Sequence, residues 1–87
     1  MTKSKIQEYI IELIKQKNPT FELERLDINY IEAGLIDSLG IIELVEEIEM
    51  HFSIAFTPED FHNREFQTII GLVNIVSLKV TPNEFSL

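Results

Sequence analysis

The chain has 87 residues, enough for one small domain and too few for a second core. Its 15 acidic side chains against 7 basic ones give a formal net charge of −8. That charge opposes nucleic-acid binding, where lysine and arginine must neutralise phosphates, and points to partners with basic patches. A hydrophobic content of 45% is that of a folded protein, and 3 Gly with 3 Pro favour helices over a turn-rich sheet. Cysteine is absent, which excludes disulfides, thiolate metal sites and cysteine nucleophiles. No apolar run reaches the ~18 residues of a membrane span, and Lys3 and Lys5 are not followed by a signal-peptide core. The expected localisation is cytoplasmic, without a membrane span.

The first predicted helix covers residues 3–17. Ile6, Tyr9, Ile10, Leu13 and Ile14 make one apolar stripe at helical spacing, with Lys3, Gln7, Glu8, Glu12 and Lys15 outside it. Thr2 or Ser4 caps its start, and Asn18-Pro19 stops it, because the residue before proline is pushed out of the helical region. Residues 18–36 form a long connection with its own apolar content, Phe21, Leu23, Leu26, Ile28, Tyr30, Ile31, Leu35 and Ile36. It is expected to pack across the helix ends with a short turn near 28–32, and Gly34 supplies a positive-φ turn at its end.

The second helix is predicted over 38–52. Asp37 suits the N-cap, since its carboxylate accepts a first-turn N–H and favours the positive end of the helix dipole. Ile41, Leu44, Val45, Ile48 and Phe52 share the core-facing stripe. Leu39, Ile42 and Met50 lie on the other side, among Glu43, Glu46 and Glu49, so Leu39 and Ile42 are expected to be exposed. A small apolar patch rimmed by carboxylates reads as a docking surface. Thr57-Pro58-Glu59-Asp60-Phe61 gives a short third helix with a cap, proline at its first position and acids in its first turn; Phe61 and Phe66 are expected to plug into the core. Thr68 caps a last helix of about 69–79, with Ile69, Leu72, Val73 and Val76 inside. Pro82 is expected to end it, leaving 80–87 as a flexible tail.

The run Gly34-Leu35-Ile36-Asp37-Ser38-Leu39, followed by Ile42-Glu43-Leu44-Val45, resembles the modification site and second helix of acyl and peptidyl carrier proteins. The resemblance covers roughly residues 4–79. It implies an all-α four-helix bundle with a long first loop and a short third helix, forming one carrier domain over 1–87 and acting as a monomer. It also implies that Ser38 carries 4'-phosphopantetheine, whose thiol holds acyl or aminoacyl groups as thioesters. An anion at a helix N-terminus is physically favoured there. By the same resemblance, a phosphopantetheinyl transferase passes the group from coenzyme A to Ser38 with magnesium, and Asp37 helps to hold that metal in the encounter complex. Further partners are a loading enzyme and downstream synthases with basic docking patches, which meet Leu39, Ile42, Glu43 and Glu46; Glu47 reads as a solvated residue. Gly40 departs from the family pattern; it either lets the cofactor or a partner approach closely or is a tolerated weak helix former.

The chain itself is expected to be no enzyme. No triad can be assembled from His51, His62 and scattered acids. His51 is read as a favourable charge near a helix end and His62 as a surface residue. No calcium loop is present, and Glu59 with His62 is a lone pair, so no metal is expected. The length is that of a discrete protein, and the expected function is a free-standing carrier serving a fatty-acid, polyketide or nonribosomal-peptide type of pathway. The alternative is an unmodified interaction module of the same fold that uses the Leu39/Ile42 patch; a small hydrolase is remote.

Overall fold

A computed structural model describes residues 2–19 and 27–85, with backbone alone for 81–85. The helices are α1 (Lys3–Lys17), α2 (Ser38–Phe52), α3 (Pro58–His62) and α4 (Ile69–Phe85), with a 3-10 turn at Arg64–Gln67 between the last two. The described residues contain no strand, and their one backbone bridge joins Asn29 to Thr68. The expected four-helix architecture is therefore present. The apolar residues expected at 21, 23 and 26, and the last two of the tail, lie outside the described residues.

Each start follows from a local hydrogen bond. Thr2 Oγ1 accepts from the Lys5 amide, Asp37 Oδ1 from Gly40 and Thr68 Oγ1 from Gly71. At α3 the cap is reciprocal: Thr57 Oγ1 accepts from Asp60 N while Asp60 Oδ2 accepts from Thr57 N. Asp60 also meets Lys79 Nζ at 2.7 Å, which ties the short helix to α4. The end of α2 is closed by Ser53 in the left-handed region at φ 56°, with Ile54 N donating to the Glu49 carbonyl.

The core is built from Ile6, Ile10, Leu13 and Ile14 of α1, Leu44, Ile48 and Phe52 of α2, and Ile69, Leu72, Val73 and Val76 of α4, all buried. Ile11 and Ile75 are buried as well, although neither lies on the predicted stripes. α4 packs extensively on both α1 and the 3-10 turn, so more than one of its faces is covered. Helices α1 and α2 run antiparallel: Tyr9 stacks on His51 with ring centroids 3.9 Å apart, while Lys17, eight residues on, pairs with Glu43.

Two expectations are corrected. Phe66 is buried in the core, but Phe61 is 45% exposed and only leans its ring on Phe56 and Phe66. The short α3 ends at Asn63, so the two phenylalanines sit on separate elements and cannot share one inward face. Secondly, Pro82 does not end α4, which continues to Phe85. Val76 and Val80, both buried, anchor the helix almost up to the proline.

Between α1 and α2 the connection is structured where it is described. Asn29 Oδ1 accepts from the amides of Ile31 and Glu32 and so caps a single helical turn. That turn closes with Leu35 N donating to the Tyr30 carbonyl and Gly34 N to Ile31, with Gly34 at φ 70°. Tyr30 is fully buried, and its hydroxyl donates to the Phe66 carbonyl. Its backbone amide donates to Gln67 O, and Asn29 Nδ2 to Gln67 Oε1. The loop is thereby fastened to the 3-10 turn, and its last residues are delivered to the start of α2.

Candidate functional site

The segment Gly34–Gly40 is held from several sides. Gly34 adopts the left-handed conformation that an L side chain resists. Asn18 Nδ2, just past the end of α1, donates to the Leu35 carbonyl at 3.1 Å. Ile36 is buried. Asp37 then caps α2 with its side chain 2.8 Å from Gly40 N, and its carbonyl accepts from Ile41 N. Ser38 follows as the first helical residue and is exposed. The result is an exposed hydroxyl on a fixed turn, at the end of a 15-residue helix whose first-turn N–H groups favour an anion.

Gly40 has a structural reason that neither reading of the sequence anticipated. It is buried, and a methyl group built on it would stand 2.6 Å from Ile36 Cγ2 and 3.1 Å from Asp37 Oδ1. The close approach is to the chain's own incoming turn.

Two open clefts flank the first half of α2. One, of about 580 Å³, lies between the end of α1, the Gly34–Asp37 turn and α2; Lys17, Leu39, Gly40 and Glu43 are among its lining residues. The other, of about 420 Å³, is walled by Ile41, Ile42, Val45, Glu46 and Phe61 and is almost wholly apolar. The residues singled out from the sequence are thus divided. Leu39 (65% exposed) and Glu43 border the first cleft, whereas Ile42 (55% exposed) and Glu46 border the second. Phe61, expected in the core, instead supplies one wall of the second.

The carboxylates of α2 are not equivalent. Glu43 and Glu47 each lie 3.6 Å from Lys17 Nζ, whose side chain is only 14% exposed. Glu49 Oε2 accepts from Phe56 N and serves the loop that follows the helix. Glu46 has no ion pair among the described residues and faces the apolar cleft. Lys17 is the site-bordering residue that sequence reasoning missed: it is far from Ser38 along the chain, and only the antiparallel packing brings it there. His51 is stacked on Tyr9 and edge-on to Phe52 near the far end of α2, and His62 is exposed at the end of α3. Among the described residues no three His, Asp or Glu side chains converge as a metal site, and no helix is long and apolar enough to cross a membrane.

This arrangement fits a covalently attached phosphodiester: the hydroxyl is exposed, the helix terminus favours an anion, and the neighbouring cleft has room and a cation. The comparisons with known proteins agree. The sequence profile of the phosphopantetheine attachment site matches residues 4–76. D-alanyl carrier proteins of Streptococcus pyogenes, from serotype M5 (strain Manfredo) and serotype M49 (strain NZ131), are each 32% identical over 68 residues, covering 78% of this chain and 86% of theirs. The chain belongs to the phosphopantetheine-binding carrier protein family. It is a carrier protein, and its cofactor is covalently attached 4'-phosphopantetheine.

Proposed function

We propose that Ser38 is the attachment point and that the protein carries aminoacyl groups as thioesters on the arm, passing them between enzymes of a biosynthetic pathway in the cytoplasm. The observation that carries this reading is the exposed Ser38 hydroxyl on a turn fixed by Gly34, Asn18 and Asp37. The choice of an aminoacyl cargo rests on the D-alanyl carrier relatives. The group supplies a thiol that holds the cargo; the chain itself performs no bond chemistry. Asp37 holds the first turn of α2 in shape while a transferase engages it, and adds negative charge beside the acceptor hydroxyl.

Partners with basic surfaces meet α2. Ile42 and Glu46, with Phe61, offer an apolar depression beside a carboxylate that has no ion pair among the described residues, and Leu39 with Glu43 extends the contact toward Ser38. The protein is expected to engage one partner at a time as a monomer.

The test is intact mass of the protein isolated from cells that express it, before and after neutral hydroxylamine, which cleaves thioesters. A labile increment of amino-acid size, absent from Ser38→Ala, is the expected result. A labile increment on Ser38→Ala would overturn the attachment point, and a labile fatty-acyl increment would overturn the cargo.

A further inference from the structure

We propose that Lys17 and the cleft between the end of α1 and the Gly34–Gly40 segment form the resting site of the phosphodiester end of the arm. This rests on attachment at Ser38 and goes beyond it by naming which of the two clefts the arm occupies between transfers.

The choice follows from chemistry. The proximal part of the arm is an anion followed by hydroxyl and amide groups. The cleft behind Phe61 exposes almost no polar surface, and an anion entering it would lose hydration without a partner. The cleft beside Lys17 is mixed in character and is bordered by both neighbours of Ser38 in the chain, Asp37 and Leu39. Lys17 is placed for this task. Its stem reaches Gly40, where a methyl would come 3.7 Å from Lys17 Cδ, so the side chain runs along the first turn of α2. Its ammonium lies 3.6 Å from each of Glu43 and Glu47. The two carboxylates thus hold the cation beside the cleft, where a phosphate oxygen entering from Ser38 would meet it. Gly34 leaves the rim open, since a methyl there would meet nothing within 4 Å.

Lysine at position 17 thus has a role distinct from a surface ion pair: it reduces the repulsion that Asp37, Glu43 and Glu47 would exert on a phosphodiester in this cleft. Glu43 and Glu47 act in turn as positioning residues for Lys17.

The experiment compares amide chemical shifts of apo and phosphopantetheinylated protein, for the native chain and for Lys17→Met and Lys17→Arg. Mass confirms one added group in each, and the phosphorus resonance is recorded alongside. The expected result is that modification shifts the amides of Gln16, Lys17, Gly34 and Gly40 in the native protein. Those shifts are lost in Lys17→Met, largely kept in Lys17→Arg, and accompanied by a moved phosphorus resonance in the methionine variant alone. Shifts confined to Ser38 and its neighbours, shifts centred on Ile42, Val45 and Phe61, or a pattern indifferent to Lys17→Met would each overturn the proposal while leaving attachment at Ser38 intact. A native protein that gains no phosphopantetheine would overturn both.

Discussion

Gly40 packs against Ile36 so closely that a methyl group on the glycine would stand 2.6 Å from the isoleucine Cγ2. The first turn of α2 and the turn leading to it are thus one packed unit, with Ser38 on its outer side. Helix propensity alone would reward Gly40→Ala by up to about 1 kcal/mol. Overpacking at a buried contact costs about 1–3 kcal/mol, so the substitution is expected to lower the urea midpoint. Ile36→Ala in the same chain should recover part of the loss relative to the sum of the single changes, a coupling that a double-mutant cycle measures directly.

Asp37 caps α2, and the role proposed for it toward the transferase is separable from that. Its side chain accepts from Gly40 N, and Asp37→Ala should cost about 0.5–2 kcal/mol of stability. Asp37→Asn keeps an acceptor and should fold within a few tenths of a kcal/mol of the native protein, since the two residues rank together as caps. If the carboxylate charge also assists the transferase, both variants are modified more slowly. Denaturant melts together with modification rates separate the two roles, and a normal rate in the asparagine variant would limit Asp37 to capping.

Burial pushes the Tyr30 hydroxyl well above the ordinary tyrosine value of 10. The fold therefore favours the protonated phenol, whereas the unfolded chain releases the proton near pH 10. The contribution is fully present below that pH and is lost as the pH rises above it. Tyr30→Phe leaves the Phe66 carbonyl without this donor and should cost about 1–3 kcal/mol at neutral pH. It should also make the alkaline loss of stability less steep. Thermal midpoints of both proteins on either side of pH 10 provide the check; parallel curves would mean that the hydroxyl does not titrate with unfolding.

Much of this was legible in the sequence. The bounds of α1 and α2 follow from Thr2, Asn18-Pro19 and Asp37, because caps and breakers act within a few residues. The exposure of Leu39 and Ile42 follows from their angle to the Leu44–Ile48–Phe52 stripe. What was not legible depends on which elements meet. A long loop lets α1 and α2 lie antiparallel, but which side chains then meet is set by their register, and that register brings Lys17 to the Ser38 region; the constraint on Gly40 comes from a side chain on another turn. Phe61 has the apolar character of a core residue, but it sits on a separate element from Phe66 and walls a surface cleft. The proline at 82 carries a strong local stop signal that packing through Val80 overrides.

The uneven pairing of the acids makes a prediction about partners. Lys17 already offsets Glu43 and Glu47, while Glu46 stands beside the apolar cleft without a cation among the described residues. Association with a basic transferase is expected to slow as salt rises, because exposed charges separated by more than a Debye length of about 8–10 Å are screened. Glu46→Gln should reduce that salt dependence more than Glu43→Gln. Stopped-flow association rates over a range of ionic strength test it, and rates indifferent to salt would remove the acidic helix as the contact face.

Attachment of phosphopantetheine at Ser38 is open to direct test. The direct measurement is the intact mass of folded apo protein after incubation with coenzyme A, magnesium and a broad-specificity phosphopantetheinyl transferase, with Ser38→Ala in parallel. The expected result is a gain of one phosphopantetheine on the native chain and none on the variant. A folded native chain that gains nothing, or a Ser38→Ala chain that gains the same mass, would contradict it.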